Sequence, residues 1–128
     1  MLVHIKELFN TEVRGKFAYP AFNTMNLEIT RGIIEAAEEL NTPIIIETSE
    51  GAIKYAGLEP MFEIIASLAI KAKIPVALHM DHGKDMEQLQ RGIELGYSSV
   101  MIDHSSLPID ENVKNTKAMV EFAHKEGA

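Results

Sequence analysis

Four short runs rich in apolar and β-branched residues recur along this chain, each turning polar at its carboxyl end and each followed by an amphipathic helical stripe. The runs are residues 17–23 (F-A-Y-P-A-F-N), 43–49 (P-I-I-I-E-T-S), 76–83 (V-A-L-H-M-D-H-G) and 99–105 (S-V-M-I-D-H-S). A strand that must cross over through a helix before the next strand returns parallel to it, so strict alternation with short links predicts an α/β fold built on a parallel sheet.

The helices between these runs carry their own signals. Residues 4–14 predict a short opening helix from Ile5, Leu8 and Phe9 at helical spacing, with Gly15 as a stop. Pro20 makes the first strand an edge strand or an irregular one. Asn26 is placed to cap a helix over residues 27–40, with Leu27, Ile33, Ile34, Ala37 and Leu40 inward and Pro43 forbidding its continuation. Residues 50–57, bounded by glycines, read as a surface loop long enough to cover something. Pro60 suits a first helical turn, and Met61, Ile64, Ile65, Leu68 and Ala72 supply the next stripe. Asp85 opens a further helix with Gln88 at capping-box spacing and Gly96 at its end, and residues 108–126 predict a last helix with Val113, Thr116, Val120 and Ala123 inward.

Parity along the strands decides how the sheet is finished. Val76, Leu78 and Met80 share one face, whereas His79 and Asp81 share the other, as do Glu47 with Ser49 and Ala21 with Asn23. One apolar face for helices and one polar face for a lumen is the pattern of a barrel strand; an open doubly wound sheet wants both faces apolar and a glycine fingerprint after its first strand, which Asn23-Thr24-Met25-Asn26 lacks. The chain is therefore expected to be part of a barrel. Its 128 residues suffice for one core of modest size.

Charge and composition narrow the partners. With 12 basic against 19 acidic residues and a net charge of -7, the chain repels nucleic-acid backbones and anionic membranes overall. Cysteine is absent, so His and carboxylate are the metal ligands on offer and a reducing, cytoplasmic setting is expected. The amino terminus is too interrupted by charge for a secretory core, and the longest apolar run stops at Lys71, too short for a membrane span.

The segments A-F-N at 21–23, P-I-I-I-E-T-S at 43–49, V-A-L-H-M-D-H-G at 76–83 and S-V-M-I-D-H-S-S-L-P at 99–108 resemble, in order and over the whole chain, the class II zinc-dependent fructose-bisphosphate aldolases and their tagatose-bisphosphate relatives. The resemblance implies a (β/α)8 TIM barrel acting at the carboxyl ends of its strands, of which residues 1–128 would be the first four βα units behind a short amino-terminal helix. It implies reversible cleavage of fructose 1,6-bisphosphate to dihydroxyacetone phosphate and glyceraldehyde 3-phosphate, with tagatose 1,6-bisphosphate as the alternative substrate. By position, Asp81 matches the catalytic acid/base, His82 the first zinc-ligand histidine, Asp103 an acidic residue associated with a second metal position, and Asn23 and Ser49 residues lining the substrate pocket. A second metal or a monovalent cation is a further expectation. His79 shares the face of Asp81 and reads either as an orienting group or as a core histidine. His104 has no family role and stands where the family more usually carries a small residue, so its imidazole reads either as a local peculiarity or as an extra site group; His4 and His124 read as surface positions.

A barrel of this kind usually takes ~250 residues. The remaining zinc histidines and the phosphate-gripping loops are expected beyond Ala128, and four strands leave two edges that soluble proteins seldom expose. Two arrangements follow: the amino-terminal part of a working aldolase, or a non-catalytic half-barrel that self-associates or pairs with the missing half. A third is another metal-dependent barrel enzyme sharing only the strand ends.

Overall fold

In the computed structural model, which describes residues 1–9, 15–16 and 18–128, the apolar runs become β1 (Ala21–Asn23), β2 (Ile44–Ser49), β3 (Val76–Gly83) and β4 (Ser99–Ile102). They form one parallel sheet in the order β1-β2-β3-β4. The helices are α1 (Ile5–Leu8), α2 (Leu27–Glu39), α3 (Glu50–Ala56), α4 (Leu58–Lys71), α5 (Met86–Leu95) and α6 (Ile109–Glu126). Of the expected opening helix and first strand, residues 10–14 and Phe17 lie outside the described residues.

The parity expectation is met in β2 and β3, whereas Phe22 of the edge strand β1 is exposed. Ile44, Ile46, Val76, Leu78 and Met80 point into the main core with Ile65, Met61, Leu89 and Met119 from the helices. The opposite face is more than a wet lumen, however: its lower half is apolar, with Ile45 and Ala77 packed under Leu8, Val3, Ile5 and Tyr19. Backbone bonds from Val3 N–H to the Val76 carbonyl and from Val76 N–H to the Met1 carbonyl hold this segment beside the start of β3.

Local signals explain most boundaries. Asn26 Oδ1 accepts from Ile29 N–H at 2.9 Å to start α2, and Asp85 Oδ1 accepts from Glu87 and Gln88 N–H to start α5. The reciprocal half of the expected capping box comes from elsewhere, since Asp85 N–H donates to Glu50 Oε1 on α3. His4, expected at the surface, is half-buried and caps α1 through Nδ1, which accepts from Lys6 N–H.

Within residues 50–57, Glu50–Ala56 form α3 and not the expected loop. Ser49 Oγ accepts from Ala52 N–H, and burial of Ala52 and Ile53 outweighs the helix penalty of Gly51. Leu40 is 76% exposed and Val113 59% exposed, where the stripes placed them inward; Leu27 and Val120 are exposed too. Leu40 and Val120 lie toward the outer edges of the sheet, where β1 and β4 each have a strand partner on one side only among the described residues. Apolar grooves of about 460 Å³ beside β1 and α2 and about 420 Å³ beside β4 and α6 run along the same edges.

Candidate functional site

Parallel register brings the polar strand ends to one rim. Asn23 is level with Glu47 and Glu47 with His79, while Ser49 is level with Asp81. Asn23 Nδ2 donates to Asp81 Oδ2 at 3.1 Å and lies 3.3 Å from Glu47 Oε2, so one amide spans two carboxylates from neighbouring strands. Ligand atoms of Glu47, His79 and Asp81 all lie within 4.8 Å of one another, a spacing that can hold a cation.

His82 has a left-handed backbone, φ +51°. This conformation costs about 1–2 kcal/mol for an L-residue with a side chain. Its Nδ1 stands 2.9 Å from Asp103 Oδ2, and because a carboxylate only accepts, Nδ1 carries the proton. Nε2 is left facing Asp81 Oδ1 at 3.7 Å. An imidazole donating one N–H to a carboxylate and offering its other nitrogen is the usual arrangement of a metal-ligating histidine.

Asp103 is anchored in turn by Ser105, whose Oγ and N–H donate to Oδ1 at 2.6 and 3.1 Å. Those bonds, the hydroxyl's first and then that of His82, hold the Asp103 carboxyl well below the usual carboxylate range. The hydrogen bond to Asp103, followed by the charge of Asp81, raises the pKa of His82. Burial raises that of Glu47, with the Asp81 carboxylate adding to the effect, whereas burial lowers that of His79. His79 Nδ1 meets Ser99 Oγ at 2.7 Å, and a ligand atom of its ring lies within 4.8 Å of those of Glu47 and Asp81.

All five expected site residues stand at this rim, and Asn23, Asp81, His82 and Asp103 are linked by direct contacts. Ser49 sits in register with Asp81 but spends its hydroxyl on the α3 cap. Glu47 was given no role by the sequence, although its parity with Asp81 was the available signal. Glu50 was missed as well, and His104 was noticed without a role; their bonds to Lys84 span 34 and 20 residues and leave no local pattern.

The four-stranded parallel sheet fits a partial TIM-barrel-like fold, with a carboxylate–imidazole cluster at the strand carboxyl ends. The profile of class II fructose-bisphosphate aldolases matches residues 3–128, and the chain belongs to that family. It is 43% identical to the fructose-bisphosphate aldolase of Geobacillus stearothermophilus, over 98% of this chain and 45% of that protein. To the Thermus caldophilus enzyme of the same name it is 42% identical, over 99% of this chain and 41% of the relative. The crystal structure of the YdjI aldolase from Escherichia coli K12 superposes with a TM-score of 0.90 at 35% identity, covering 99% of this chain and 50% of that one. The chain thus spans about half the length of the relatives it matches.

Proposed function

We propose that residues 1–128 are the amino-terminal half of a single (β/α)8 barrel domain. They supply the proton-transfer side of a zinc-dependent class II aldolase that reversibly cleaves fructose 1,6-bisphosphate into dihydroxyacetone phosphate and glyceraldehyde 3-phosphate. The observation that carries this reading is the placement of Asp81 between the Asn23 amide and the His82 imidazole.

Asp81 takes the proton from the substrate hydroxyl next to the bond that breaks, and returns it in the synthetic direction. Asn23 holds the carboxylate oriented through Oδ2, and with Ser49 borders the space for the sugar chain. His82 would hold zinc through Nε2, with Asp103 keeping its ring in the required tautomer. Bound zinc would polarise the ketone oxygen and stabilise the negative charge left by cleavage. One imidazole does not complete a tetrahedral zinc site, so further ligands come from residues outside these 128. Asp103, or the group of Glu47, His79 and Asp81, is suited to a second metal or a monovalent cation.

The apolar grooves beside β1 and β4 are where further βα units seat, so the working unit has both edges covered by a second half-barrel. No helix among the described residues is long and apolar enough to cross a membrane, and a cytoplasmic place in carbohydrate metabolism is the setting this reading expects. The test is Asp81→Asn in the full-length protein. Cleavage of fructose 1,6-bisphosphate falls at least ~100-fold while zinc stays bound; turnover near the parent rate removes Asp81 from this role.

A further inference from the structure

The two peptide groups that follow Gly83 are held by side chains from neighbouring elements. Lys84 N–H donates to Glu50 Oε1 at 2.6 Å, reaching across from the start of α3. The Lys84 carbonyl accepts from His104 Nε2 at 2.9 Å, reaching across from the end of β4. His104 is itself held: a ring nitrogen that donates to a carbonyl leaves Nδ1 as an acceptor, and Asn115 Nδ2 on α6 donates to it at 3.0 Å. Between the strand and this clamp, the Gly83 carbonyl accepts from Asp103 N–H at 2.8 Å.

A left-handed non-glycine residue persists only where its surroundings over-determine it. At His82 the surroundings do so through the residues that follow, because fixing the Gly83 and Lys84 peptides leaves the His82 backbone little freedom. We propose that His104, seated by Asn115 and working opposite Glu50, is a positioning residue that clamps the turn after β3 and so aims the His82 imidazole. The proposal rests on the reading of His82 as a zinc ligand for its functional meaning, and on the hydrogen bonds alone for the clamp.

The experiment compares the full-length parent with His104→Ala, His104→Gln and, as a remote control, His124→Ala. Two quantities are read: hydrogen exchange of the Lys84 and Asp85 amides, and Zn2+ affinity by chelator competition. Loss of a group that orients a metal ligand typically weakens metal binding ~10–100-fold. His104→Ala is expected to speed exchange at Lys84 and Asp85 several-fold and to weaken Zn2+ binding at least ~10-fold. His104→Gln, which retains a side-chain N–H for the Lys84 carbonyl, recovers most of both, and His124→Ala changes neither. Unchanged exchange in His104→Ala overturns the clamp, and faster exchange with unchanged Zn2+ affinity overturns its role in aiming His82. A parent protein that binds no Zn2+ sinks the metal reading instead, and the exchange data then decide the clamp by themselves.

Discussion

Gly83, the last residue of β3, has no room for a methyl group. A Cβ built there lies 2.4 Å from Leu89 Cδ2, 2.9 Å from Cγ and 3.1 Å from Cδ1. Carbon atoms prefer about 3.5–4.0 Å, so Leu89 or the α5 axis must shift by roughly 1 Å. Leu89 is fully buried in the core, among close-packed neighbours that resist such a shift. Gly83 is not among the residues with positive φ, so the penalty of Gly83→Ala is steric, and overpacking of this kind costs about 1–3 kcal/mol. Leu89→Ala by itself costs about 2–5 kcal/mol through its cavity. In the double variant the new methyl enters the vacated space, and the combined loss falls below the sum by about 1 kcal/mol or more. Urea unfolding of the full-length parent, both single variants and the double variant measures this, with an unchanged slope showing that the same surface is exposed. A Gly83→Ala change within about 0.5 kcal/mol of the parent, or strictly additive losses, refutes the steric argument.

Asp85→Ala removes the acceptor for two amides at the start of α5 and is expected to destabilise by about 1 kcal/mol in the same assay. Tyr97 is buried with its hydroxyl accepting from Thr48, and burial pushes its pKa up to about 12 from 10.0. The folded state thus keeps this proton where the unfolded state has lost it, so stability falls as pH rises above 10, by up to ~2–3 kcal/mol at pH 12. Tyr97→Phe flattens that part of the stability–pH curve; an identical curve in the variant excludes Tyr97 as the cause. In metal-free protein the raised His82 pKa makes its contribution complete below 6.5 and lost as pH climbs through the folded value, while Asp103 contributes above 3.8 and loses it as pH falls through its depressed value. The pair is therefore strongest between those limits, and an NMR titration shows the His82 midpoint moving down in Asp103→Asn.

How much of this was legible follows from the range of each interaction. The helix caps at Asn26 and Asp85 and the facing of Leu78 against His79 are set by neighbours a few residues away, and local pattern reads them correctly. Residues 50–57 misled because Gly51 and Gly57 suggest a loop, whereas the cap from Ser49 and the burial of Ile53 decide for a helix. Periodicity placed Leu40 and Val113 inward because it reports a stripe's spacing, not whether a neighbour exists to cover it. Asp81, His82, Asp103 and Asn23 stand at or beside the polar carboxyl ends of strands, but that position alone is a weak signal, and their roles came from the resemblance of those segments to the aldolase family. Glu50 and His104 act across loops on the backbone around Lys84, and no spacing rule gives either that role.

Ile45 and Ala77, each two positions before a rim residue on its own strand, sit on a dry floor made by Val3, Ile5, Leu8 and Tyr19. An apolar layer on one side of Glu47 and His79 screens their charges less than solvent on both sides would. Added salt is accordingly a weaker lever on the proton affinity of His79 than on that of the exposed His82. Loosening the floor would be a strong one, altering the rim's electrostatics without touching any residue that meets a ligand.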